Sequence, residues 1–187
     1  MTISYRKVCL FGALVLLSGC AQNRDAPKLQ NQVVELKQML GTLTDQATAL
    51  ERQNQLNQNS TSGVYLLPAA NAAARLQSQI GELSVYLTHV KNEASGTQAM
   101  LHIRTLSSNT LPPFNAMVEW GQLDEHGKLL SAGALSQPIT SSESLLAKTE
   151  QRFELRLSGL TPQQLGYIRL HNLEPLITAA AKTVTSK

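Results

Sequence analysis

With 187 residues, 16 Lys+Arg against 13 Asp+Glu and a formal charge of +3, the chain has room for one ordinary domain and an appendage. Two cysteines exclude a disulfide scaffold and a Cys-rich metal site. A nucleic-acid binder needs a basic stripe or patch, and the basic residues form none.

Near the N-terminus Arg6 and Lys7 are followed by the apolar run Val8 to Leu16 and then by Leu17-Ser18-Gly19-Cys20. Basic start, short apolar core and small residues make a secretory signal. The core is shorter than the roughly 20 apolar residues a membrane span needs. A Cys at the processing point makes it a lipoprotein signal, with residues 1–19 removed and Cys20 acylated. Stable anchoring needs more than one acyl chain, and bacterial lipoproteins carry more than one. Ala21 stands where an Asp would retain the protein in the inner membrane, so an outer-membrane, periplasm-facing location is expected. Without Arg6 and Lys7 the count is 14 to 13, about +1. Cys9 leaves with the signal, so no thiol remains for a disulfide.

Residues 20–28, polar with Pro27, read as a tether. Leu29, Val33, Leu36, Leu40, Leu43, Ala47 and Leu50 then recur at alternating spacings of four and three. This is a heptad with Val33, Leu40 and Ala47 at a and the leucines at d. It predicts a helical stalk over 29–56, roughly 40 Å long at 1.5 Å per residue. Two readings compete: a parallel coiled coil that makes a homo-oligomer, and an amphipathic helix lying on its own domain. The repeat is near the lower length limit for a coil, Gly41 weakens it, and few flanking charges set a partner. The coil is preferred; Leu at d with mixed residues at a does not separate dimer from trimer, and Asn54 at a favours a dimer. Residues 57–62, rich in Asn, Ser and Thr, read as a linker.

From 63 to 175 the period drops to two. Leu83, Val85 and Leu87 alternate with polar neighbours, as do Ala99, Leu101 and Ile103, then Ala116, Val118 and Trp120, then Phe153, Leu155 and Leu157. Alternation marks antiparallel sheet with one buried face. Strands are predicted at 64–67, 80–90, 97–106, 115–123, 128–136, 151–157 and 167–172, with the Ala-rich stretch Asn71 to Gln79 as a helical turn. Seven short strands predict a mainly β fold, an Ig/fibronectin-like antiparallel β-sandwich behind the α-helical stalk. The run from Leu157 to Tyr167 looks like the corner of such sandwiches, but Ile168 and Leu170 carry the apolar parity, so Tyr167 points away from them. The tail, 176–187, is expected to add a helical turn and fray.

Gly63-Val-Tyr-Leu-Leu-Pro68, Ser78-Gln-Ile-Gly81, Leu87-Thr-His-Val90, Gly96-Thr-Gln98, Val118-Glu-Trp-Gly-Gln122 and Gly159-Leu-Thr-Pro-Gln-Gln-Leu-Gly166 resemble the YajI-like family of enterobacterial envelope lipoproteins. The resemblance covers the mature chain. It implies an envelope lipoprotein of uncharacterised role and supplies no catalytic residues. The lipid-bearing Cys followed by a Gln- and Leu-rich heptad also resembles the murein lipoprotein, in pattern only. That protein is joined to peptidoglycan through a C-terminal Lys, but the tail ending at Lys187 lacks the rest of its pattern.

No catalytic, cofactor or metal site is predicted, and no cofactor. His89, His102, His126 and His171 lack ligand spacing; His102 and His171 fall on outward strand faces and His126 in a turn. There is no G-x-S-x-G elbow and no phosphate loop. Glu82, Glu93, Glu119, Asp124, Glu125, Glu143, Glu150, Glu154 and Glu174 are scattered. Neighbours on a strand face opposite sides, which makes Trp120 a core anchor and Glu119 a solvated charge. The expectation is a non-enzymatic structural or protein-binding role in the envelope, with an unidentified envelope protein as partner and no nucleic acid. A peptidoglycan- or glycan-binding sandwich is the alternative, and an envelope hydrolase the third; the latter needs two acids or a Ser–His pair within bonding reach in a groove.

Overall fold

A computed structural model describes residues 26–176; the signal, Cys20 and the end of the tail lie outside the described residues. The chain divides into two compact units, residues 1–41 and 42–187. Helix α1 runs Ala26–Gln58. Its residues up to Gly41 are the described part of the first unit, and the rest belongs to the second. No helix among the described residues is long and apolar enough to cross a membrane.

The helix forms because nothing between Lys28 and Gln58 breaks it. Pro27 stands in the first turn, where its missing N–H is an orphan anyway. At the other end the Asn59 side chain donates to the Gln55 carbonyl at 2.9 Å, closing one of the last unpaired carbonyls. Leu29, Val33 and Leu36 in the first unit are all about half exposed or more. In the second unit Leu43 and Leu50 are exposed too, whereas Ala49 and Gln53 are buried. Two faces of the helix therefore have different fates. The heptad positions stay open, and a second stripe about 100° round the helix packs on the sandwich.

The second unit holds eight strands: β1 Val64–Leu66, β2 Ala74–Ser78, β3 Gly81–Glu93, β4 Gly96–Thr105, β5 Phe114–Gly121, β6 Leu135–Ser141, β7 Glu150–Ser158 and β8 Tyr167–Pro175. They make two four-stranded sheets ordered β1-β8-β5-β6 and β2-β3-β4-β7, every pair antiparallel. The β-sandwich expected from the alternation is the architecture found, with eight strands rather than seven. An immunoglobulin constant-type sandwich puts its second and third strands in different sheets. Here β2, β3 and β4 form one meander, so the Ig/fibronectin-like strand order is not adopted.

The core lies between the sheets. Leu83, Val85, Leu101, Ile103, Phe114, Val118, Leu155, Leu157, Ile168 and Leu170 are fully buried in it. Each such side chain contributes about 1.5–3 kcal/mol relative to exposure. Trp120 is the core anchor predicted for it, and its Nε1 donates to the Ser158 carbonyl at 3.1 Å. A smaller cluster lies on the outer face of the β1-β8-β5-β6 sheet, where Ala49 of α1 meets Tyr65, Leu67, Ala70 and Tyr167.

Two predicted elements are corrected. The Ala-rich stretch Asn71 to Gln79 is not helical. A 3-10 turn at Pro68–Ala70 ends on Asn71, whose φ is 44°, and β2 follows. Ala74 and Leu76 point into the core and pair opposite Val85 and Leu83, and that burial overrides alanine's helix propensity. The strand predicted at 128–136 sits at Leu135–Ser141 instead. Pro138 hid it, but β6 is an edge strand, where a residue without an N–H is tolerated. Residues 123–129 instead close a turn, in which Asp124 Oδ1 accepts from the His126 and Lys128 amides at 2.9 and 2.8 Å.

Candidate functional site

Three groups of side chains stand out: a hydrogen-bonded network on the open face of the β2-β3-β4-β7 sheet, a charged cluster on the other sheet where α1 packs, and the exposed row on α1.

The first network starts from strand register. Tyr86 on β3 lies opposite His102 on β4, and His102 opposite Arg152 on β7. The Tyr86 and His102 rings stack with centroids 4.3 Å apart. Glu150 reaches under them. It accepts from the Tyr86 hydroxyl at 2.6 Å, from His102 Nδ1 at 2.8 Å and from Arg152 Nε at 2.9 Å. A carboxylate only accepts, so Nδ1 carries a hydrogen; in the neutral ring Nε2 then accepts from the Thr88 hydroxyl, 2.7 Å away. The Thr88 oxygen is also 2.9 Å from His89 Nδ1. His89 stands beside a β-bulge between Thr88 and Lys91 with φ 52°. Such bulges re-aim side chains at the rim of a sheet. The hydrogen bonds from Tyr86, then His102 and Arg152, hold Glu150 down to about 2. The same bond to Glu150 pushes the Tyr86 hydroxyl up.

His102 was expected on an outward face as a solvated histidine. It is on that face but buried, with only 6 % of its surface exposed, because Tyr86 covers its ring. The chain Thr88–His102–Glu150 has the connectivity of a hydroxyl, a base and its orienting acid. Two cavities border His89: one of about 290 Å³, lined also by Lys91, Gln98, Ala99, Met100 and Glu154, takes in neither Thr88 nor His102, and one of about 180 Å³, lined also by Leu67, Pro68, Asn71 and Leu87, takes in Thr88 but not His102.

The second cluster surrounds Glu119. Its Oε1 accepts from the Tyr167 hydroxyl at 2.9 Å, and its Oε2 lies 3.8 Å from both Arg169 Nη1 and His171 Nε2. Glu119, expected to be solvated, is three-quarters buried, and His171, also expected outward, is more buried still. The cause is the covering layer. Arg169 lies over the Tyr65 ring at 5.1 Å and donates to the Ser62 carbonyl at 2.8 Å. Burial first, and the bond to Glu119 second, push the Tyr167 hydroxyl well above the ordinary tyrosine range. Tyr167 does point away from Ile168 and Leu170, as its parity predicts. Gly121 makes room for it: a Cβ there would lie 2.8 Å from the ring. His126 lies in its predicted turn, exposed.

The helix is fastened above this cluster by two amides. Gln53 Oε1 accepts from the Leu67 amide at 2.8 Å. Asn57 Nδ2 donates to the Tyr65 carbonyl at 2.9 Å, and its Oδ1 accepts from the Tyr65 amide at 2.7 Å. Asn57 thus pairs with the free edge of β1 as a neighbouring strand would. Asn57, expected to open the 57–62 linker, belongs instead to the last turn of α1. A helical stripe Gln46, Ala49, Gln53, Leu56, at spacings of three and four, was the signal available.

Cys20, the one predicted site residue, lies outside the described residues. Among the described residues no three His, Cys, Asp or Glu side chains are grouped so as to hold a metal ion.

Residues 20–182 match a family described as protein of unknown function, DUF3251. The chain is 34 % identical over 178 residues to the uncharacterised lipoprotein YajI of Escherichia coli K12, covering 95 % of this chain and 99 % of that one. The solution NMR structure of that E. coli lipoprotein superposes with a TM-score of 0.67 at 35 % identity, over 74 % of this chain and 83 % of that one. The Salmonella enterica trimeric lipoprotein SadB shares the fold, with a TM-score of 0.50 at 18 % identity over 82 % and 78 %. The chain belongs to the YajI-like, DUF3251 family, whose function is unknown.

Proposed function

We propose that the protein is a lipid-anchored, periplasm-facing lipoprotein of the outer membrane that acts by binding rather than by catalysis, and that it self-associates through its helical stalk. One observation carries the anchor: the family match begins at Cys20, the residue that the signal pattern marks for acylation. Its relative over nearly the whole length is named a lipoprotein. Ala21 after the Cys favours the outer membrane. The stalk reading rests on Leu29, Val33, Leu36, Leu43 and Leu50, which stand exposed at heptad positions. An exposed apolar row of this length is an association surface rather than a solvated one. The Thr88–His102–Glu150 chain supports the hydrolase alternative less well, because the Thr88 hydroxyl is held between two imidazoles.

The test is cell fractionation with Cys20→Ser, combined with photocrosslinking from the head. Loss of the Cys20→Ser protein from the membrane fraction is the expected result; its retention there overturns the anchor. Recovery of one specific envelope protein supports a binding role. Recovery of muropeptides alone moves the assignment to a glycan-binding module.

A further inference from the structure

The sandwich has four edge strands, and an exposed edge is a row of unpaired N–H and C=O groups that templates pairing with another chain. Three of the four are blunted. β1 is only three residues long and is covered by the Gln53 and Asn57 amides. β2 has five residues. β6 carries Pro138 at its centre. β7 has nine residues, contains neither Pro nor Gly, and pairs with β4 alone. Among the described residues its only backbone group bonded from another direction is the Ser158 carbonyl, at the far end of the strand, which accepts from Trp120.

The side chains of β7 show what would fit this edge. Glu150, Arg152, Glu154 and Arg156 alternate in sign along the open face, while Leu155 and Leu157 face the core. The Arg152 and Arg156 side chains are each 68 % exposed and Glu154 46 %, which leaves these three open to a second chain. Glu150 is 22 % exposed and already bonded by Tyr86, His102 and Arg152, so the Arg152–Glu154 pairs set the register and Glu150 adds only its charge. Lay a second β7 antiparallel against the first, with Phe153 opposite Phe153. Glu150 then meets Arg156 of the second copy, Arg152 meets Glu154, and the other two pairs follow by symmetry. In this register residues of equal parity face each other. The backbone groups that point away from β4 on one copy therefore meet those on the other. A shift of two residues either way sets Arg opposite Arg or Glu opposite Glu. Directly opposed like charges destabilise a strand pair and opposed unlike charges stabilise it, so the pattern selects one register against its neighbours.

We propose that β7 is a self-association edge: two copies pair through it, centred on Phe153, and join their β2-β3-β4-β7 sheets into one eight-stranded sheet. The partner is a second copy of this chain. The contact is isologous and is separate from the stalk. It is weak in solution, because exposed ion pairs contribute little each, and it gains from molecules held at one membrane surface.

The test uses the soluble chain from residue 20 with Cys20→Ser, which leaves no thiol. One preparation carries Arg152→Cys and another Glu154→Cys. Directly opposed Cβ atoms in an antiparallel pair lie about 4.5–5.5 Å apart, within reach of a disulfide. Under mild oxidation the mixture is expected to cross-link about tenfold faster than either preparation alone, since only the mixture places a thiol opposite a thiol. The preference must persist when both chains also carry Leu36→Asp and Leu43→Asp, which disable the stalk. If the mixture shows no advantage, or loses it with the stalk variants, the proposal is overturned. Without the cysteines, Arg152→Glu is expected to weaken head association about tenfold. Adding Glu154→Arg restores opposite charges across the pair and must recover it; failure of that rescue, with both variants folded by circular dichroism, also overturns the proposal.

Discussion

Glu150 shows how one side chain ties three strands together. It leaves β7, is bonded by Tyr86 of β3 and His102 of β4, and is bracketed by Arg152 on its own strand. Its carboxyl is held down to about 2 from an ordinary 4.5. A depressed carboxylate contributes stability above its unfolded value and loses it as pH falls towards the folded one. The contribution is therefore complete at neutral pH and fades between about pH 4.5 and 2. Glu150→Gln is expected to cost about 1–2 kcal/mol at pH 7. The gap to the unsubstituted protein should close on acidification, which urea midpoints across that pH range would measure. None of this was visible one residue at a time. The alternation in Gln98-Ala99-Met100-Leu101-His102 placed His102 on the outer face correctly, yet parity does not say which outward residues lie beneath a neighbour's ring.

At the scale of elements, the last turns of α1 are the unexpected part. Their amides do the work of an absent strand on the edge of β1. Asn57→Ala and Gln53→Ala leave the Tyr65 and Leu67 amides without partners, at about 1–2 kcal/mol each. Hydrogen exchange at Tyr65 and Leu67 should quicken in each variant while the β4–β7 amides keep their rates. The helix and most strands were legible because each follows one period. β2 was not, because the run Ala72-Ala73-Ala74 that leads into it speaks for a helix and only pairing with β3 decides otherwise. β6 was displaced because a proline reads as a break until the strand is known to be an edge. The double role of α1 was hidden for another reason: the heptad leucines drew the eye to one face, and the face that docks uses Gln, Asn and Ala.

For the molecule as a whole, the apolar row on the stalk predicts concentration-dependent behaviour. Binding that stabilises the folded form raises the midpoint with protomer concentration. The soluble chain is expected to sediment as an oligomer at tens of micromolar and to melt higher as it is concentrated. Leu36→Asp with Leu43→Asp should remove most of that concentration dependence, leaving only the small part that the weak β7 contact contributes. The sandwich class and the N-terminal helix could be read from residue order because each follows one repeating period. Partner and ligand could not, since they depend on which surfaces converge.

The handover at Gln53 and Asn57 also decides where this protein can be cut. A fragment starting at Ser60 keeps every strand and every core leucine, yet it strips the cover from the first strand. Its bare Tyr65 and Leu67 backbone is then open to any passing extended chain. Trimming between residues 42 and 46 keeps the amide cover and discards most of the exposed leucine row, so a usable isolated head begins inside the helix rather than after it.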